Sequence, residues 1–397
     1  MAAARMVLGA MTGTSLDGLD LALARVEGTG LGLRATLVAE ASAPLGALGP
    51  RLRAAAEQVP LPASEFAALG RELADLHARC ARELCASVGV RPDLACVHGQ
   101  TIFHRPPLSW QLFTPQPLAA ALDCPVVCDL RAADLAEGGQ GAPLTPLADW
   151  VLFRAAHPRA VVNLGGFANA TLLPADAGAL EDQVAAIRGR DLCACNQLLD
   201  RAARTLLQQP FDAGGAAAAR GTPHPQITAD VQAALTPGRA RSLGTGDEAW
   251  STLDRWAAHT TPENVLASVA FAVGHVIGGA LHEANPALRE IIVAGGGAHH
   301  TVLVRALAQA ADATVVPSTV LGVPIGMREA LGWAVLGALA QDGVQITLPA
   351  VTGRVSSRLS DGVWCLPASA EPVLYTTMKH CNLATDGARV SAPSTGT

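Results

Sequence analysis

Twice this chain runs from an apolar stretch through a turn crowded with small residues into a second apolar stretch. The first copy is Val7-Leu8, the turn between Gly9 and Asp20, then Leu21 to Ala24. The second is Ala160 to Leu164 followed by Gly165 and Gly166. Two strand–turn–strand units, one per half, predict a duplicated α/β architecture with a ligand held between the halves. A third glycine turn, Gly295-Gly296-Gly297, follows the apolar run Ile291 to Ala294 and leads into a helix from about His300.

The chemistry of the first turn narrows the ligand. Gly9, Gly13 and Gly18 allow close backbone approach and offer N–H donors. Thr12, Thr14 and Ser15 add side-chain donors, and Asp17 and Asp20 are suited to hold a metal ion or its waters. Such a hairpin fits a nucleotide polyphosphate with Mg²⁺, although an ordinary glycine-rich β-turn has the same composition. Gly13, Thr14, Ser15, Leu16, Asp17, Gly18, Leu19 and Asp20 are therefore the first nucleotide-contacting set. Asn163, Gly165 and Gly166 form the second, and Gly295, Gly296 and Gly297 the third, placed to take an adenosine moiety against bare backbone. The first turn does not match GxxxxGK[ST], so a Walker-type NTPase is not indicated.

Bulk properties exclude several partners. The net charge of −6 gives no footprint for nucleic acid. The most apolar stretch, Val265 to Leu281, is broken by Ser268, His275 and glycines, and reads as a buried helix rather than a membrane span. Met1 to Met6 runs straight into a strand, so no export signal is expected. Nine cysteines, an odd number spread over the chain, read as reduced thiols in the cytoplasm. Neither Cys124/Cys128 nor Cys193/Cys195 has zinc-site spacing.

Between the glycine turns the pattern alternates helix and strand. Pro60 to Val88 is helical, with Leu69, Leu73, Leu76 and Cys80 on one face. Leu94 to Val97 is a strand ending in His98-Gly99-Gln100-Thr101, and Val126 to Cys128 is another, leading to Asp129-Leu130-Arg131 and Asp134. Gly138 to Pro143 reads as a crossover and hinge between lobes. Arg220 to Leu243 reads as a loop with a short helix, and the polar tail from about Ala370 as surface-lying.

Taken together, GxMTGTSLDGLD, HGQT with His104 beyond it, DLRxxD, GGQGAPLTP, NLGGFAN, GGGAHH and LPAVTGR at 348–354 resemble the anhydro-N-acetylmuramic acid kinase family over residues 7 to 354. The resemblance implies the two-lobed actin-like/sugar-kinase α/β fold with a central cleft. The expected division is an N-terminal lobe over 1–135, a C-terminal lobe over 136–375 and a tail over 376–397. It also implies a reaction in which ATP and water open a 1,6-anhydro sugar and phosphorylate oxygen 6. A homodimer follows by analogy only, and lobe closure is expected about Gly138 to Gly141.

The same resemblance suggests roles. Asp191 falls where the family has the Asp of a D-x-G-P-G-N stretch and becomes the base that activates water; as a residue alone it also reads as a helix N-cap. Here Cys193 and Cys195 replace both glycines, which questions the local backbone geometry. Arg131 is the partner for the sugar's carboxylate, or else of Asp129 or Asp134. His98, Gln100 and Thr101 reach the sugar, with His98 alternatively a satisfied core histidine and Gln111 a supporting group. Glu329 lies near the sugar, or merely complements a helix dipole. Asn163 and Asn169 flank the second turn, His300 stands where the family tends toward Asn, and Ser242-Leu243-Gly244 matches a family segment. A hexose kinase without ring hydrolysis and a catalytically silent sensor are the competing readings.

Overall fold

Strict apolar runs bounded by glycine turns give the chain its strands, and the strands assemble into two sheets of the same plan. The computed structural model describes residues 4–13, 16, 18–235, 255–256 and 260–369. Thr14, Ser15, Asp17, Ser242-Leu243-Gly244 and the tail after Ser369 lie outside the described residues. In the first sheet β1 (Arg5–Thr12) pairs antiparallel with β2 (Leu19–Glu27), and β2 with β3 (Arg34–Ala43). On the other side β1 runs parallel to β4 (Leu94–Val97), which is separated from it by the long Ala63–Val88 helix. A small hairpin of β5 (Gln100–Arg105) and β6 (Leu108–Leu112) follows β4. The sheet then continues through β7 (Val126–Cys128), parallel to β4.

The second sheet repeats this order. Antiparallel β8 (Arg159–Leu164), β9 (Phe167–Leu173) and β10 (Arg188–Ala194) are joined on the β8 side by parallel β11 (Glu290–Ala294) and β12 (Thr314–Pro317). The orders β7-β4-β1-β2-β3 and β12-β11-β8-β9-β10 correspond strand for strand. The duplication expected from the two glycine turns is therefore real at the level of topology. After the second sheet the chain returns to the first, where β13 (Val363–Cys365) pairs antiparallel with β7.

Helices fill the faces as the apolar spacing predicts. Leu69, Leu73, Leu76 and Cys80 are all buried, and the helix stops at Gly89 in the left-handed conformation. The Pro262–Ala284 helix is long and apolar enough to cross a membrane, yet most of its apolar stretch is buried against the Thr301–Ala311 helix and the second sheet.

Two helices join the halves. Pro146–Phe153 leaves the first sheet and packs against β8 and β9, while Arg328–Gln341 leaves the second and packs against β1, β2 and β4. Gly9 serves this packing and not a ligand: a Cβ there would lie 1.9 Å from the Ala330 carbonyl oxygen and 2.5 Å from the Ala334 nitrogen. Where the crossover helices touch, Arg328 Nε donates to Asp149 Oδ1 at 2.8 Å, and its Nη2 closes the fork on Oδ2. Thr171 Oγ1 also donates to Asp149 Oδ2, at 2.7 Å. Both charged side chains are 2% exposed. Asp149→Ala leaves the guanidinium buried and unpaired, so we expect a loss of ~3–5 kcal/mol in chemical denaturation. A volume-matched apolar pair, Asp149→Leu with Arg328→Met, is expected to recover most of that loss.

Candidate active site

The ends of β1, β4, β9 and β10 and the start of the Arg328–Gln341 helix face one another across a cavity of about 650 Å³. Its walls include Thr12, Gly13, His98, Thr101, Arg131, Asn169, Asp191, Glu329 and Trp333, together with His104 and Arg105 of the β5–β6 hairpin and the crossover residues Gln140 to Thr145. Residues from seven separate stretches of sequence thus meet at one place.

Asp191 lies within β10, four residues ahead of the cap of the Asn196–Leu207 helix, so it is a strand residue and not the N-cap. A bulge between Asp191 and Cys193 interrupts the pairing with β9, and bulges re-aim the side chains beside them. The carboxylate makes no hydrogen bond or ion pair with the described residues. Water in the cleft reaches it, yet protein walls it in beyond that first layer, and this desolvation raises its pKa above the ordinary 3.8. Cys193 and Cys195 are both fully buried and neither takes positive φ, Cys195 sitting at φ −125° and ψ −99° as the helix cap.

Arg131 has no carboxylate within ion-pair distance among the described residues. Its Nη1 donates to the Gly141 carbonyl at 2.9 Å, its Nη2 meets His98 Nε2 at 3.2 Å, and its Nε is buried without a partner. Burial lowers its pKa to about 10, which leaves it charged at neutral pH. Asp134, the alternative partner, is committed elsewhere: it accepts from Gly141 N and Thr352 Oγ1, each at 2.6 Å. Opposite Arg131, His98 stacks on Trp333, with ring centroids 4.4 Å apart. Burial first, and the Arg131 charge second, push the His98 pKa well below 6.5. The ring is therefore neutral, accepts at Nε2 and carries its proton on Nδ1. His98 holds Arg131 as well as facing the cavity.

Glu329 accepts from Asn163 Nδ2 at 3.0 Å, which ties the second crossover helix to β8. Burial, with Asp149 and Asp20 nearby, raises its pKa. Thr101 lines the cavity, whereas Gln100 is 1% exposed and does not; its amide oxygen has no partner. Gln111 bonds Ser109 at 3.0 Å on the same hairpin. Asp20 accepts from Ser42 at 2.6 Å.

The second and third glycine turns meet beside, not within, this cavity. Cys195 N and Asn196 N donate to the Gly166 and Gly165 carbonyls, both at 2.9 Å. Asn196 Nδ2 donates to Leu164 O at 2.9 Å. A Cβ on Gly295 would lie 2.6 Å from Asn163 Oδ1, and one on Gly297 2.9 Å from Asn196 Oδ1. Two bare-backbone turns and a twelve-residue helix's N-terminus thus converge, an arrangement suited to phosphate. His300 caps the following helix by accepting from Leu303 N and faces Asp212 at 3.9 Å, which accounts for it structurally. Leu16 takes φ 59° in the first turn.

Trp333 escaped the sequence reading, although its spacing of four from Glu329 puts both on one helix face. The Arg328–Asp149 pair escaped as well, and no local signal joins residues so far apart.

The duplicated sheets, joined by exchanged helices around a cleft, define the two-lobed actin-like/sugar-kinase fold. The family model for anhydro-N-acetylmuramic acid kinase matches residues 5–364. A relative of that name from Bordetella pertussis is 35% identical over 373 residues, covering 89% of this chain and 94% of the relative. One from Salinibacter ruber is 35% identical over 389 residues, covering 91% and 96%. Component A of (R)-2-hydroxyglutaryl-CoA dehydratase from Acidaminococcus fermentans aligns with 84% of this chain and 98% of its own at 14% identity, its TM-score of 0.45 adding nothing to the topology. The chain belongs to the anhydro-N-acetylmuramic acid kinase family.

The buried histidines predict a pH dependence of stability. His77, whose Nδ1 donates to Leu73 O at 2.7 Å, is held at about 4 by burial, and His98 is lowered in the same direction. Below pH 6.5 the unfolded chain binds protons at these sites that the native state refuses. Stability should therefore be complete above pH 6.5 and fall toward pH 4, by up to ~1.4 kcal/mol per pH unit for each such histidine. Denaturation at stepped pH checks this; a flat profile across that window would mean both imidazoles titrate as if in water.

Proposed function

We propose that this kinase uses ATP and water to open 1,6-anhydro-N-acetylmuramic acid and phosphorylate its oxygen 6, giving N-acetylmuramic acid 6-phosphate. The observation that carries this reading is the pairing, in one cavity, of an unpartnered carboxylate, Asp191, with a guanidinium that lacks a counterion, Arg131. A sugar bearing its own carboxylate supplies the missing anion at Arg131. That contact fixes the ring so that carbon 1 faces Asp191.

The chemistry then needs few groups. Asp191 takes a proton from water as the water oxygen bonds to carbon 1, and the bond from carbon 1 to oxygen 6 breaks. Oxygen 6 leaves with its electron pair and attacks the γ-phosphorus, releasing ADP. The phosphoryl group captures the departing oxygen, so a second carboxylate acting as general acid is unnecessary. Asp191's raised pKa brings the base closer to neutrality, which favours proton acceptance.

In this reading residues 1–135 supply the first turn and the sugar-facing His98, Thr101 and Arg131. Residues 136–375 supply Asp191 and the other two glycine turns, and return Glu329 and Trp333 to the face of the first sheet. Mg²⁺ enters with ATP as part of the substrate and offsets charge on the phosphates. Asp20, with Asp17, is the acidic set for its waters. A sparse oxygen set of this kind suits Mg²⁺, and among the described residues no group of three His, Cys, Asp or Glu forms a metal site alone. The eight described cysteines are all free thiols, which fits the reducing cytoplasm.

Turnover in ¹⁸O-water with ATP, Mg²⁺ and the anhydrosugar tests the reading: the product should be a 6-phosphate carrying the label at carbon 1. Phosphorylated product without label would replace it with an ordinary sugar kinase. Asp191→Asn should keep nucleotide affinity while kcat falls by ~10²–10⁴-fold. Its acid limb in wild type should lie above pH 3.8, since protonation removes the base. Normal turnover in that variant would move the base elsewhere.

A further inference from the structure

Asn163, Asn169 and Asp191 form a row across the second sheet. Asn163 on β8 pairs directly with Asn169 on β9, and Asn169 pairs directly with Asp191 on β10. Directly paired residues of antiparallel strands project from the same face, with Cβ atoms ~4.5–5.5 Å apart. The three side chains therefore stand side by side, but they are not used alike. Asn163 spends its amide on Glu329. Asn169 lines the cavity together with Asp191, and its amide has no hydrogen-bond partner among the described residues.

We propose that Asn169 is a catalytic residue that orients the attacking water, its Oδ1 accepting one water hydrogen while Asp191 accepts the other. This inference rests on the reading of Asp191 as the base. A water activated by one carboxylate alone can swing about that single hydrogen bond. A second acceptor on the neighbouring strand fixes both hydrogens and turns a lone pair toward the position of carbon 1. An asparagine suits the task because it offers an acceptor without adding a charge that would compete for the proton. The proton balance is unchanged: one hydrogen goes to Asp191, and the one held by Asn169 stays on the new hydroxyl at carbon 1. The bulge following Asp191 interrupts strand pairing on one side of this pair, leaving its cavity side open for a water.

The other titratable groups facing the cavity are His98 on the segment after β4, His104 and Arg105 on the β5–β6 hairpin, Arg131 after β7, and Glu329 on the second crossover helix. None of them is a direct cross-strand neighbour of Asp191. A new carboxylate at position 169 should act on Asp191 before any of these.

The test combines two variants with wild type and Asp191→Asn. Asn169→Ala should lower kcat by ~10–100-fold while KM for sugar and for ATP stays within about twofold, since the lost contact is to the water and not to a substrate. Asn169→Asp should move the acid limb of the kcat profile upward by about one pH unit, because a like charge beside Asp191 resists its ionisation. Thermal melting of both variants should match wild type, the side chain having no structural bond to lose. Unchanged kcat in Asn169→Ala, a loss expressed in KM, a collapsed melting temperature, or an unmoved acid limb in Asn169→Asp would each overturn the proposal. If instead Asp191→Asn retains activity, the underlying reading of the base has failed, and that result is distinct from failure at Asn169.

Discussion

The fork between Arg328 and Asp149 is the contact on which the geometry of the cleft depends. It joins two helices that each spring from one sheet and pack on the other, so it ties the two halves to each other beside the cavity residues Thr145 and Glu329. Two ions so fully buried are costly unless each is held by its partner and by further hydrogen bonds. Thr171 supplies one such bond on β9, which couples the pair directly to the strand that carries Asn169. One residue beyond Arg328, Glu329 reaches Asn163, and one turn later Trp333 stacks on His98. A single helix start thus positions groups on both sides of the cleft. Its close seat on β1 requires Gly9 to lack a side chain.

The parts legible in the sequence were those written in local pattern. The two glycine turns foretold a duplicated plan because each strand–turn–strand unit is contiguous, and the strand orders match one for one. The buried stripe of the Ala63–Val88 helix was equally plain from its spacing. What stayed hidden depends on residues far apart in the chain. Gly9 read as a ligand-facing glycine because nothing nearby reveals that a helix more than 300 residues later lies against it. Asp191, read as the base, also read as a helix cap because the pairing with Asn169 that keeps it in a strand is not visible locally. Arg131 and His98 were visible as polar residues at strand ends, but their mutual contact was not, since they follow different strands. The return of the chain to the first sheet through β13 likewise leaves no mark in composition.

The carboxylates show how the molecule separates structure from chemistry. Asp134 binds a backbone N–H and Thr352, Asp149 binds Arg328 and Thr171, and Glu137 and Asp361 bind Arg354 from two sides at 2.6 Å each. Each is buried, and each accepts at both of its oxygens. Asp191 alone among the acidic residues of the cavity wall has neither partner nor neighbouring cation in bonding range. Glu329, the other, already accepts from Asn163. A carboxylate kept free of partners while the other one in the cavity wall is tied is available to accept a proton, and the same reasoning makes Arg131 available for an anion.

The glycine-rich crossover, whose composition suggests a hinge, is held by hydrogen bonds along its length. Asp134 occupies the space where a Cβ of Gly139 would lie, at 2.1 Å, and accepts from the backbone N–H of Gly141, which takes φ 68°. Gln140 N donates to Thr352 O at 2.8 Å, and Val355 N to Glu137 O at 3.0 Å. The Glu137–Arg354–Asp361 cluster then binds the same stretch to the chain's return path. Glycine here removes side-chain bulk so that a carboxylate can gather the loop, and the gathered loop presents Gly141 O to Arg131. A segment held at this many points resists bending, because each dihedral change would break a buried hydrogen bond. The crossover is thereby tied both to the segment after β7 that carries Arg131 and to the chain's return path through Thr352 and Arg354.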